Sequence, residues 1–273
     1  MSRDRSGRQR PSAGDGGVRD GTVRDAGEGV RAPPVAREMS ASPPGDPPVT
    51  EERRPKLLNL EAIAAQQAAG RAWFAENTPV SRETLARLDG YVGLLTDWQT
   101  RMNLVAPSTL GDVWRRHIAD SISVERLLPT FSRAVDLGSG GGLPALIVAA
   151  CRPNCSVDMV ESSQKKARFL TAAKAEMGVT GEVHPIRIEA AGQILAKADI
   201  VTARALAPLD DLMAMVHPHI SRETRCFFQK GRSHEQEIAA ATANWKFTMV
   251  IHGSQVEADS VILEVADIAP RRG

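Results

Sequence analysis

The sequence predicts an α/β fold: a mostly parallel sheet with helices on both faces, closed by a C-terminal antiparallel hairpin and preceded by a small helical cap. Three observations carry this. Beyond residue 131, short apolar runs suited to strands alternate with helical patterns. The stretch Ala134-Val135-Asp136-Leu137-Gly138-Ser139-Gly140-Gly141-Gly142-Leu143-Pro144 reads as a buried strand, a glycine-rich turn and a helix start. The last two strand-like runs, Trp245 to Ile251 and Val261 to Val265, are joined only by the polar turn His252 to Ser260.

In chain order, residues 1–56 contain no Leu, Ile, Phe, Trp or Tyr and are rich in Gly, Pro, Arg, Asp and Ser. Such a segment cannot form a core, and a disordered tail is expected. It lacks the apolar stretch of a signal peptide, and Asp4, Asp15, Asp20 and Asp25 disfavour a transit peptide. An Arg-rich arm, a bland tail and a reading frame that truly starts at Met39 all remain open. Residues 57–130 form the expected helical cap. Leu57 to Ala69 is a short alanine-rich helix. Ser81 is an N-cap candidate ahead of Leu85, Leu88, Val92 and Leu95 on one face, which Trp98 ends. A third helix spans roughly Leu110 to Leu128, with Trp114, Ile118 and Ile122 inward.

Residues 131–268 form the α/β domain. After the opening strand and its apolar helix, expected elements are a strand at Ser156 to Glu161 and a helix at Lys165 to Met177, C-capped by Gly178. Strands follow at Val183 to Ile188, Asp199 to Ala203 and Arg225 to Gln229, with a helix at Leu209 to Ile220 between the last two. Five such units closed by a hairpin follow the plan of methyltransferases using S-adenosylmethionine (SAM); dinucleotide dehydrogenases usually continue with parallel strands.

At 273 residues and 42% hydrophobic, the chain can bury one good core, and a formal charge of +1 leaves any basic surface local. Cys151, Cys155 and Cys226 are too few for a disulfide framework and lack partners for a zinc site, so reduced thiols, no metal and a cytoplasmic location are expected. No apolar run reaches the ~20 residues of a membrane span.

Three readings compete for the glycine loop. A P-loop needs Gly-Lys-Ser/Thr at its end, which is missing. The dinucleotide fingerprint wants glycine where Leu143 stands. Asp-x-Gly-x-Gly-x-Gly is met by Asp136, Gly138, Gly140 and Gly142. Free N–H groups at the helix start would attract an electron-rich ligand. Glu161, ending the second strand, can accept hydrogen bonds from ribose hydroxyls, a feature SAM and NAD share.

Asn103-Leu104, His117-Ile118-Ala119-Asp120-Ser121, Asp136 to Pro144, Arg152-Pro153, Glu161-Ser162, Lys165 to Leu170, Arg204-Ala205 and Lys230-Gly231 occur in this order. That series, from about Leu85 to Val265, resembles the RsmG (GidB) family, bacterial methyltransferases of small-subunit ribosomal RNA. Two departures are Ala145, where the family usually has glycine, and Gly141, which would make the loop slightly looser. The resemblance implies SAM as donor and N7 of one guanine in 16S ribosomal RNA as acceptor, the partner being that RNA or the small ribosomal subunit; a monomer is expected, though the sequence does not fix the oligomeric state. It also implies SAM contacts from Gly138, Leu143, Ile188, Glu189 and Arg204.

What the sequence lacks fits this chemistry. Guanine N7 carries an in-plane lone pair and no proton, so no general base is required. The Asn/Asp-Pro-Pro-aromatic motif of exocyclic-amine methylation is replaced by Thr202-Ala203-Arg204-Ala205 at the fourth strand end. Asp46-Pro47-Pro48 lies in the tail and lacks the aromatic. Cys226, in mid-strand, is a poor candidate nucleophile for carbon methylation. Arg204 suits the SAM carboxylate or an RNA phosphate, because methylated N7 leaves a cationic ring. Arg115, Arg116 and His117, then Lys165, Lys166 and Arg168, then Lys230 with Arg232, form three basic segments that suggest a phosphate track. His117 is expected to pack against or bond the loop, oriented by Asp120 three residues on. A small-molecule SAM methyltransferase and a NAD-binding oxidoreductase are the alternatives. Few aromatics (6 Phe, 4 Trp, 1 Tyr) disfavour an apolar substrate pocket.

Overall fold

The computed structural model describes residues 59–254, 256–257 and 259–271. The expected tail, with Asp46-Pro47-Pro48 and Met39, lies outside them. The described residues open with helices α1 (Leu60–Asn77) and α2 (Arg82–Gln99), then a π-helical stretch Trp114–Ala119 that runs into α3 (Asp120–Leu127). Then follow β1 (Arg133–Leu137), α4 (Ala145–Cys151), β2 (Ser156–Val160), α5 (Gln164–Met177), β3 (Val183–His184) and α6 (Gly192–Leu195). The remainder is β4 (Ile200–Arg204), α7 (Leu209–Val216), β5 (Arg225–Lys230), α8 (His234–Asn244), β6 (Trp245–Gly253) and β7 (Val261–Pro270).

Among the described residues, seven strands form one sheet in the order β3-β2-β1-β4-β5-β7-β6. The first five are parallel; β7 runs antiparallel to both β5 and β6. The order reverses between β1 and β4, and ligands of open α/β sheets bind beyond the strand C-termini at such a point. Side-chain alternation divides the core. Ala134, Val157, Met159, Ile200 and Phe227 face the layer holding α2–α5, while Val135, Leu137, Val201, Cys226 and Phe228 face α7 and its neighbours.

Local chemistry explains most element ends. Ser81 Oγ accepts from Thr84 N at 3.1 Å and starts α2, and Gly178 ends α5 at φ 59°. Several expected boundaries are corrected. Helix α1 runs eight residues past Ala69, because Phe74, fully buried, packs on Trp114 at 5.3 Å between ring centroids. Strand β3 has only two residues, since Pro185 cannot donate to the ladder. Ile188 therefore begins a 3₁₀ turn, and α7 stops at Val216, two residues before Pro218. Helix α8 was not expected at all, and the hairpin strands extend to Gly253 and Pro270.

The helices before β1 brace the glycine loop from outside. The Tyr91 hydroxyl, fully buried on α2, donates to the Gly141 carbonyl at 2.6 Å. Gln99 holds the segment beside it: its Oε1 accepts from Leu104 N at 2.8 Å and Val105 N at 3.1 Å, and its Nε2 donates to Val105 O at 2.8 Å. A Cβ on Gly141 would sit 3.1 Å from the Leu104 carbonyl oxygen. The loop expected to be loose at Gly141 is thus pinned there. Tyr91→Phe should cost about 1–2 kcal/mol, through one buried carbonyl left unpaired, and should weaken cofactor binding in parallel. Denaturant melts and calorimetric SAM titrations of the variant check this.

Candidate functional site

The glycine loop turns between β1 and α4 with Gly138 at φ 65° and Gly142 at φ 81°. A Cβ at Gly142 would meet Leu146 Cδ1 at 2.4 Å, so the loop packs directly on α4 and only glycine fits. The loop's N–H groups are largely spent. Those of Gly138 and Ser139 donate to Val160 O (2.9 and 3.1 Å), that of Gly142 to Ser139 O (2.6 Å), and that of Gly140 to Glu161 Oε2 (2.9 Å). This corrects the expected row of free donors. A dinucleotide pyrophosphate needs such donors; a cofactor without phosphate does not.

Glu161 follows β2 and is buried, with Oε1 accepting from Ser163 N at 2.7 Å. Each carboxylate oxygen keeps a further lone pair for a ribose hydroxyl. Glu161 lines a cleft of about 360 Å³ with Gly138, Ser162, Lys166, Ile188 and Glu189. Asp136, Gly140, Gly142 and Leu143 build the turn and do not wall that cleft; Leu143 packs in the core on the α4 side. Asp136 is fully enclosed. Its Oδ1 accepts from Thr202 Oγ1, its register partner on β4, at 2.5 Å, while Oδ2 has no partner among the described residues. Burial pushes its pKa up to about 7, against the pull of Thr202 and Arg204.

Ala205, at φ 49°, borders this cleft and a second of about 190 Å³. The second is lined by Arg116, His117, Asp120, Arg204, Gln229 and Lys230, among others. Arg204 ends β4 with its side chain 21% exposed, and its Nη2 donates to His117 Nδ1 at 2.6 Å. A guanidinium only donates, so the His117 proton sits on Nε2 and is given to Thr109 Oγ1 at 2.8 Å. Burial, with Arg204 and Arg116 nearby, pushes the His117 pKa down to about 3. Both ring nitrogens are engaged, and the ring is neutral.

Asp120 does not orient His117, contrary to expectation. Its Oδ2 accepts from Gln229 Nε2 at 2.6 Å and faces Arg204 Nη1 at 3.6 Å. Burial raises its pKa, and Arg204 and Gln229 pull it back. Arg204 Nη1 and Gln229 Oε1 remain buried without hydrogen-bond partners among the described residues.

The basic segments separate. Lys230 corrects the phosphate-track expectation: its ammonium, side chain 7% exposed, donates to Ala207 O at 2.5 Å and pairs with Glu237 at 2.8 Å. Arg116 pairs with Glu257, and Arg115 lies 4.9 Å over the Trp73 ring. Lys165 and Arg168 are exposed, and Lys166 borders the larger cleft. Arg232 pairs with Asp259 at 2.8 Å. Tyr91, Thr109 and Gln229 stand in no motif, and Thr202 stands only in the stretch that replaces one; the fold alone brings them to the loop and clefts. Cys226 is fully buried with its thiol pushed up to about 12, and no metal-binding group of His, Cys, Asp and Glu occurs among the described residues.

A sheet of this order closed by an antiparallel hairpin, with a glycine turn after β1 and an acidic acceptor after β2, defines a SAM-dependent methyltransferase. The model of the family GidB, rRNA small subunit methyltransferase G, matches residues 84–262, and the chain belongs to that family. It is similar to the ribosomal RNA small subunit methyltransferase G of Rhizobium meliloti (strain 1021), at 46% identity over 70% of this chain and 93% of that protein. The protein of that name from Rhizobium rhizogenes (strain K84 / ATCC BAA-868) is 48% identical over 71% and 96%. Among solved structures, an O-methyltransferase from Bacillus cereus in complex with SAH aligns with a TM-score of 0.49 at 12% identity, covering 75% of this chain and 100% of that one.

Proposed function

We propose that this chain transfers the methyl group of S-adenosylmethionine to N7 of a guanine in 16S ribosomal RNA, in the cytoplasm. The observation that carries the reaction type is the pair of clefts meeting at Ala205, one suited to a nucleoside and the other small and lined by polar side chains, in which His117 has both ring nitrogens engaged and Asp120 is held by Gln229 and Arg204. The cofactor supplies a methyl group on a cationic sulfur. Glu161 would hold its ribose, Ile188 and Glu189 would flank its adenine, and the unpartnered Asp136 Oδ2 would lend negative potential to its cations.

Guanine N7 would supply the lone pair for the new N–C bond, the S–C bonding pair would remain on the departing sulfur, and no proton would have to leave. His117, neutral and doubly bonded, is consistent with that lack of demand, as is the enclosed Cys226. Catalysis then rests on holding nucleophile and methyl in line, an advantage of up to ~7–11 kcal/mol for ideal geometry. Ribosomal RNA as the substrate follows the family. Arg115, Arg116, Lys165, Lys166 and Arg168 are the candidate backbone contacts, with Lys230 reassigned to the cleft wall. No described helix is long and apolar enough to cross a membrane.

Label from tritiated SAM offered with 16S RNA, 30S subunits and a metabolite pool should enter RNA as 7-methylguanosine. Label confined to the metabolites would overturn the assignment.

A further inference from the structure

We infer that Gln229 reads the target base, its Oε1 accepting from the exocyclic amine of guanine, and that Asp120 fixes Gln229 for this task. The inference rests on the proposed methyl transfer to guanine and names the residues that choose the base. Gln229 stands on β5 directly opposite Arg204 on β4, one strand farther from the cofactor cleft. Its Nε2 donates to Asp120 Oδ2 at 2.6 Å, so a flipped amide would set oxygen against carboxylate. The orientation is locked, and Oε1 is left buried, without a partner among the described residues, on a residue that walls the smaller cleft. A buried acceptor with nothing to accept is costly, and a ligand donor relieves it.

That cleft, about 190 Å³, is smaller than the ~300–1,000 Å³ typical of drug-sized ligands and suits one flat base. Among the four RNA bases, only guanine carries an amine at position 2. Holding that amine at Gln229 leaves N7, on the opposite edge of the purine, directed back toward Ala205 and the cofactor cleft.

The same pair favours the transition state. As N7 gains its methyl the ring becomes cationic, and its amine becomes a stronger donor. The bond to Gln229 therefore tightens where it helps most. The Asp120 carboxylate, a positioning residue acting through Gln229, also places negative charge beside the ring and offsets Arg204, 3.6 Å away.

Target RNA carrying inosine in place of the methylated guanine keeps N7 and loses only the amine. Wild-type enzyme should methylate it about 10- to 100-fold less efficiently in kcat/KM. Gln229→Leu should be slow on both RNAs with a ratio near one, while its SAM affinity stays within about twofold of wild type. Equal rates on the two RNAs by the wild type would overturn the inference, as would a Leu variant that keeps the preference or loses SAM binding. Failure of the wild type to make 7-methylguanosine in ribosomal RNA would instead remove the reading beneath it.

Discussion

Glu161→Ala should weaken SAM binding by about 100-fold or more, because one side chain both ties the glycine loop and is the proposed ribose acceptor. Its carboxylate receives the Gly140 N–H at 2.9 Å and the Ser163 N–H at 2.7 Å, tying the loop after β1 to the turn after β2. Glu161 also lines the larger cleft, where its spare lone pairs would accept from ribose hydroxyls. Bonds to a charged group are worth about 1.5–3 kcal/mol each, and the truncation removes the ribose contacts together with the loop's own tether. Isothermal titration with SAM measures the loss. Glu161→Gln should fall between, since its carbonyl can keep one tether and the amide donates where the ribose also donates. Equal SAM affinity in wild type and Ala variant would mean that the ribose is held elsewhere.

The second large effect is a pH dependence centred on Asp136. Burial raises its folded pKa to about 7, so between pH 4 and 7 the folded chain holds a proton that the unfolded chain has released. Stability linked to this group therefore falls as pH rises through that window and levels off above it. The term is on the order of 4 kcal/mol for the cofactor-free protein. Asp136→Asn removes the titration, so its melting temperature relative to wild type should climb between pH 5 and 8, by several degrees. Cofactor cations near the unpartnered Oδ2 would favour the ionised form, so wild-type SAM affinity should increase with pH toward about 8 and that of the Asn variant should not. Parallel melting curves for the two proteins across this range would contradict the assignment.

The succession of strands along the chain and the closing hairpin were legible because short apolar runs and glycine turns are local signals. Where expectation failed, the cause was local chemistry of another kind or a distant contact. Pro185 cut β3 short. Helix α8 buries only Ala241 fully and shows little apolar periodicity, so its sequence announces no face. His117 and Asp120 have helical spacing, but the π-helical stretch Trp114–Ala119 widens the turn and carries Asp120 off toward Gln229. The nominated residues Gly138, Glu161, Ile188 and Glu189 share one cleft, and Arg204 the next. Tyr91 and Gln229 could not be nominated, since each matters through one hydrogen bond to a residue at least 50 positions away.

The most direct measurement is mass mapping of modified nucleosides in 16S ribosomal RNA from cells lacking this protein. The expected result is loss of one 7-methylguanosine, restored by the wild-type gene and not by Glu161→Ala. A full complement of 7-methylguanosine in those cells would contradict the assignment of guanine N7 as the methyl acceptor.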